Sequence, residues 1–132
     1  MKYFLDTNIC IYFLKGTSEK LHKKFLQINP NDIKIPSIVK AELLYGVEKS
    51  EKKKENLNFV NKFLFPFEII PFDDPVSESY AKIRFALEKK GNIIGPNDLI
   101  IASIVLSNKG TLVTNNIKEF KRVKGLKIVN WV

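Results

Sequence analysis

Short apolar runs alternate with amphipathic stretches along the whole chain. KYFL (2–5) reads as a short apolar strand, and Asp6-Thr7-Asn8 behind it can cap the apolar helix ICIYFL. A second helix over 18–28 carries Leu21, Phe25 and Ile28 on one stripe. IKIP (33–36) is a strand ended by Pro36, after which Ser37 caps a helix running through Val47. The charged run EKSEKKKEN opens a solvated helix that turns amphipathic at Leu57, Val60, Phe63 and Leu64. EIIPF (68–72) is the third strand. Asp74-Pro75 starts the next helix, with Val76, Tyr80, Ile83 and Leu87 inward and Gly91 as its stop. Gly95-Pro96-Asn97-Asp98 opens a helix that ends at Gly110, and TLVT (111–114) and KIVNW (127–131) are the last two strands. Such alternation predicts an α/β fold, a parallel sheet of about five strands covered by helices on both faces. No repeat, linker or low-complexity segment interrupts it, so residues 1–132 are expected to form one domain.

Four polar positions fall where strands hand over to helices or loops: Asp6, Glu42, Asp98 and Asn116. In an open parallel sheet, ligands bind in the crevice beyond the carboxyl ends of the strands. Asp6 follows the first strand, Glu42 lies two turns into the helix after the second, and Asn116 follows the fourth. Asp98 starts the helix that feeds the fourth strand, so all four can converge on one rim. Each also has an ordinary explanation. Asp6-Thr7-Asn8 can serve only as a cap, and a first-turn acid such as Asp98 gains about 0.3–1 kcal/mol from the helix dipole. Glu42 is harder to explain in this way, because Ile38, Val39, Tyr45 and Gly46 place it on the apolar stripe of its helix. Ile101, Ala102 and Val105 do the same for Asp98. Burying unpaired charge is costly, and two carboxylates at about 5 Å repel by roughly 3 kcal/mol at an effective dielectric near 20. A divalent cation removes that penalty, and carboxylates with open water positions suit magnesium or manganese rather than zinc.

Composition narrows the chemistry. Twenty-two Lys and Arg against fourteen Asp and Glu give a formal charge of +8, which favours nucleic acid or an acidic protein partner. One cysteine, Cys10, excludes an intramolecular disulfide and a cysteine zinc site; one histidine, His22, excludes a histidine-rich metal site and a Ser-His-Asp triad. Cys10 reads as core and His22 as surface. The apolar stretches are too short to span a bilayer, and MKYFLDTN reaches an acid too early for a signal peptide, so the expected compartment is the cytoplasm. No GxxxxGKS/T, GxGxxG or GxSxG occurs. The lysines of EKSEKKKE read as a solvated helix face. Lys118, Lys121, Arg122, Lys124 and Lys127 follow Asn116 and are placed to flank a pocket mouth. Phe59, Phe63, Phe65 and Phe67 are too many for one helical stripe, so some are expected to face another chain.

LDTN (5–8), ELLYG (42–46), GPNDLIIA (95–102), VTNNIKEF (113–120) and the closing Asn130-Trp131 together resemble PIN-domain ribonucleases, and among them the VapC-type toxins of bacterial toxin–antitoxin pairs. The resemblance covers nearly the whole chain, with the motifs in family order and spacing. It implies a three-layer α/β/α PIN-like domain. The implied activity is that of a magnesium-dependent endoribonuclease hydrolysing phosphodiester bonds in structured RNA, with tRNA as the substrate class. Asp6 and Asp98 match the family's metal-binding aspartates and Glu42 its third acidic residue. With the metal, Glu42 orients or deprotonates the attacking water, and Thr7 and Thr114 supply supporting hydroxyls. Asn116 falls where many members have a fourth Asp; it adds no charge, and Glu119 one helical turn later is a substitute. The partners implied are RNA, a second copy of the chain, and a cognate antitoxin whose tail lies in an apolar groove, forming a larger hetero-oligomer, with no membrane. Two other classes remain open: a PIN-like RNA-binding module without catalysis, and a phosphoaspartate phosphatase using Asp6. LDTN also resembles the start of phosphoaspartate enzymes, although the second Asp of their DxDxT pattern is missing.

Overall fold

The computed structural model describes residues 1–132 and turns the apolar runs into five strands. In chain order these are β1 (Tyr3–Leu5), α1 (Thr7–Lys15), α2 (Glu19–Gln27), β2 (Ile33–Pro36), α3 (Ser37–Lys49), α4 (Lys53–Leu64), β3 (Glu68–Ile70), α5 (Asp74–Lys89), α6 (Pro96–Ser107), β4 (Thr111–Val113), α7 (Ile117–Phe120) and β5 (Lys127–Val129). The strand order is β3-β2-β1-β4-β5, and every neighbouring pair is parallel. From β1 the chain steps outward to β2 and β3, then crosses back to β4 and on to β5. Right-handed crossovers therefore put α1–α4 on one face and α5–α7 on the other. The central strands are apolar on both faces because helices cover both: Phe4, Leu5, Ile33, Ile35, Leu112 and Val113 are buried, within one contiguous core.

The direction of travel reverses between β1 and β4, which makes the gap beyond their carboxyl ends the topological switch point where ligands bind in such sheets. The backbone ladder runs one residue past the strands there. The Asp6 N–H donates to the Val113 carbonyl at 3.1 Å, and the Thr114 N–H donates to that of Val129 at 3.0 Å. Since Leu5 pairs with Val113 and Val113 with Val129, Asp6, Thr114 and Asn130 form one row along the carboxyl edge of the sheet.

Several element ends differ from the sequence-based expectation. Pro36, not Ser37, occupies the cap position of α3, and no side chain caps it. The charged run does not open one helix. Its first two residues finish α3, the Ser50 hydroxyl donates to the Val47 carbonyl at 2.6 Å, and α4 begins only at Lys53. β3 ends at Ile70, before Pro71, which has no N–H for a ladder. α6 stops at Ser107 rather than Gly110, because the Asn108 amide turns back onto the Ile104 carbonyl at 2.7 Å and Lys109 adopts φ 55°. Gly110 then passes so close to the Phe4 ring that a Cβ would stand 2.4 Å from it, so only glycine fits.

The phenylalanines divide as expected. Phe63 is buried and Phe67 half-buried, in an aromatic cluster with Phe13, Phe25 and, through Phe25, Trp131, with ring centroids 4.4 to 6.3 Å apart. Phe59 and Phe65 are left 55% and 91% exposed. Cys10 is buried and His22 is exposed, lying against Phe13. No helix is long and apolar enough to cross a membrane.

Candidate active site

At the switch point lies a cleft of about 350 Å³ whose lining includes Asp6, Glu42, Asp98 and Asn116. The four residues singled out from the sequence are thus brought together by four different elements. Asp6 performs both of its possible roles. Its Oδ1 accepts from the Ile9 N–H at 2.9 Å, capping α1, while its carboxylate also faces the cleft beside Thr114. Burial pushes its pKa up, the Thr114 and Ile9 hydrogen bonds pull it down, and Glu42 adds a further push upward.

Glu42 is half-buried, and its stripe is not the core stripe expected: Tyr45 is 64% exposed and Gly46 is exposed. The polar position is instead explained by the cleft that α3 overhangs. The Thr7 hydroxyl donates to Glu42 Oε1 at 2.6 Å, and the Asn97 amide donates to Oε2 at 3.3 Å. Both oxygens are therefore held in place by donors.

Asp98 forms no cap on α6. It is half-buried, and its pKa is pushed up to about 7, first by burial, then by the hydrogen bond and charge of Glu119 and the charges of Asp6 and Glu42. Glu119 is where sequence reasoning offered only a substitute. Its Oε1 accepts from the Gly95 N–H at 2.6 Å and its Oε2 from the Asn116 amide at 2.8 Å. Burial alone would raise its pKa, but these donors, with Asp98 and Arg122, hold it below the usual carboxylate range. Asn116 thus spends its amide on orienting a carboxylate, and its own N–H donates to the Thr114 hydroxyl at 2.9 Å. A further carboxylate, Glu119, thus stands one helical turn beyond Asn116, against Asp98.

The lysines sort differently from expectation. Lys127 pairs in register with Thr111 at the amino ends of β5 and β4, at the far end of the strands from the cleft. Arg122 is committed to the Ile93 carbonyl at 2.8 Å. Lys49, from the run read as a solvated face, lines the cleft with its Nζ 4.8 Å from the Tyr45 ring centroid. The break at Ser50 leaves it on the last turn of α3, and no periodicity argument signals that.

The donors fit a hard divalent cation. All are oxygens, and burial, with the hydrogen bond and charge of Glu119 and the charges of Asp6 and Glu42, raises the Asp98 pKa to about 7 where a cation would otherwise balance the charge. No group of three acidic side chains is gathered tightly enough to enclose an ion unaided. A divalent cation held here would take one or two carboxylates and complete its shell with water. Fold and cleft together define a class, the metal-assisted hydrolases acting on phosphate esters.

The PIN domain family model matches residues 3–126. The chain is 48% identical over 132 residues to ribonuclease VapC2 of Rickettsia felis, covering 99% of this chain and 98% of that one. It is 37% identical over 131 residues to the tRNA(fMet)-specific endonuclease VapC of Salmonella typhimurium, again covering 99% and 98%. Among solved structures, VapBC2 from Rickettsia felis, crystallised with a promoter DNA fragment, superposes with a TM-score of 0.94 at 45% identity, covering both chains completely. The chain belongs to the PIN domain family, among its VapC ribonucleases. Nucleases of this family depend on a divalent metal.

Proposed function

We propose that this chain is an endoribonuclease toxin that hydrolyses tRNA with magnesium held at the switch-point cleft, and that a cognate antitoxin silences it in the cytoplasm. The observation that carries the proposal is the convergence of Asp6, Glu42 and Asp98, with Glu119 behind Asp98, on a cleft with room for a phosphodiester. Asp6 and Asp98 would hold the ion, and Asn116 would keep Glu119 aimed at Asp98. When bound, the cation polarises the phosphoryl oxygen and stabilises the charge that develops there. Glu42, fixed by Thr7 and Asn97, would orient the attacking water and take its proton as the water oxygen bonds to phosphorus, while the bond to the leaving ribose oxygen breaks and that oxygen takes a proton from solvent. The relatives support the substrate class: one is named for its specificity toward tRNA(fMet).

A cleft of about 510 Å³ between α1, α3 and α4 adjoins the active site and is lined by Leu14, Leu43, Val47, Phe59 and Val60. Its apolar lining and the exposed Phe59 suit the docking of an antitoxin segment, and Glu42 borders both cavities. The test is cleavage of bacterial tRNA by purified chain, stripped with chelator and then resupplied with magnesium. Cleavage should stop on stripping and return with the metal. Undiminished cleavage in excess chelator would refute the metal assignment.

A further inference from the structure

The row Asp6–Thr114–Asn130 continues into a second concavity. By strand register Asn130 stands two strands from Asp6, about 10 Å along the edge of the sheet at parallel spacing. There α2 lays Lys20, Lys23, Lys24 and Gln27 beside Asn130 and Trp131, around a cleft of about 350 Å³ with no acidic side chain in its lining. Lys24 is half-buried, with its Nζ 6.0 Å from the ring centroid of the buried Trp131, so this ammonium rests against a fixed surface. Lys23 shares only an exposed pair with Glu19 at 3.6 Å, of the kind worth little in water. Lys20 and Lys24 make no ion pair. Asn130 Oδ1 accepts from the Val132 N–H at 2.9 Å, which leaves its amide nitrogen free to donate. Between the two clefts the edge stays polar, with the Asn115 amide donating to the Tyr12 hydroxyl at 3.1 Å.

The acidic cleft creates the need for such a site. Asp6, Glu42 and Asp98 line a cleft that repels a polyanion, and Lys49 is the one lysine in it. Most affinity for nucleic acid comes from cations that neutralise phosphates, so the binding charge must lie elsewhere on the path of the strand. Lys127 is at the far end of the sheet, and Arg122 donates to the Ile93 carbonyl and faces Glu119.

We infer that the α2–β5 cleft is a second RNA-backbone site, where Lys20, Lys23 and Lys24 hold phosphates flanking the one that enters the acidic cleft. This rests on the ribonuclease assignment. Phosphate contacts position a ligand without reading its sequence, so the cleft raises affinity for all RNA substrates alike and leaves the chemical step untouched.

The test uses the full chain carrying Asp98→Asn, which prevents cleavage, and a fluorescently labelled anticodon stem-loop of bacterial initiator tRNA. Lys20→Gln/Lys23→Gln/Lys24→Gln should lower the slope of log affinity against log salt by about 2–3, at 0.7–0.9 per contact. The matched control, Lys52→Gln/Lys53→Gln/Lys54→Gln at the start of α4, removes the same charge and should change the slope by less than half as much. Replacing the three α2 lysines by Arg should restore it. With Asp98 intact, the α2 triple variant should raise KM and keep kcat. Equal slopes in the two Gln variants would overturn the inference. So would an unchanged RNA slope accompanied by loss of antitoxin binding, which would make the cleft a protein-docking site. A parent chain that neither binds nor cleaves RNA would overturn the ribonuclease assignment first, and the two failures are therefore distinguishable.

Discussion

The two cavities that meet at Glu42 are built from opposite materials. On one side, carboxylates, hydroxyls and amides at strand ends make the acidic cleft, a place for charge and water. On the other, Leu14, Leu43, Val47, Phe59 and Val60 from three helices make an apolar groove that has little to offer a phosphate. Strand ends can concentrate charge because the parallel sheet delivers residues distant in sequence to one rim. Helix faces can expose apolar area because three helices leave a gap that none of them fills. On the proposed reading chemistry and partner docking lie side by side, since Ile11, Glu42 and Gly46 line both cavities, and an occupant of the groove would be within reach of Glu42.

If that division is right, the largest effects lie on the acidic side. Asp98→Asn and Asp6→Asn should each reduce cleavage by more than about a thousandfold, equivalent to roughly 4 kcal/mol of barrier, with antitoxin affinity preserved. Asn is the informative choice at position 6, since it still caps α1, whereas Ala forfeits about 1 kcal/mol of cap. Assays of cleavage and antitoxin binding on the same preparations check this, and a variant losing both would blur the boundary. Glu42→Gln should follow, at about 10²–10⁴ in kcat for a lost base, with a nearly unchanged melting temperature because Thr7 remains a partner for the new amide oxygen.

Much of this was legible beforehand, for a physical reason. Central strands of a covered parallel sheet must be apolar throughout, so KYFL, IKIP and TLVT stood out, and polar residues just beyond them had to be there for the rim. Other parts were hidden. The stripe that Glu42 shares is core at Val39 but exposed at Tyr45 and Gly46, so burial alone does not account for its position. Glu119 emerges fully only through two contacts far apart in sequence or across a turn, with Gly95 and Asn116. Of the basic residues after Asn116, Lys127 lies at the amino end of β5, away from the cleft, because the chain returns there between α7 and β5. A count of charges cannot reveal that reversal.

On the apolar side the expected effect is smaller and of the opposite kind. Phe59→Ala should weaken antitoxin binding by about 1–2 kcal/mol, as truncated aromatic anchors do, and leave cleavage of free RNA unchanged. Titration calorimetry against the cognate antitoxin measures it. Loss of cleavage with unchanged binding would reverse the roles of the two cavities.

The smallest effect concerns pH. Asp98, raised from an ordinary 3.8 to about 7, and Asp6, also raised, bind protons more tightly folded than unfolded. The contribution of Asp98 to stability is complete below pH 3.8 and is lost as pH rises through about 7, and that of Asp6 has the same sign. Glu119, held low, acts oppositely only around and below its ordinary 4.5. Metal-free chain should therefore lose melting temperature relative to Asp98→Asn as pH climbs through neutrality, and magnesium should restore it above pH 7 by binding the folded form alone. Scanning calorimetry of both proteins in chelator shows whether the gap opens with pH. A constant gap would remove Asp98 from the charge cluster.

The central claim is that a divalent cation sits among these carboxylates. Anomalous diffraction from crystals of the chain soaked in manganese tests it most directly. The account predicts a peak in the switch-point cleft, ligated directly or through water by Asp6 and Asp98, and absent from Asp98→Asn crystals. A peak elsewhere on a chain whose RNA cleavage requires manganese, with the cleft holding only water, would contradict it.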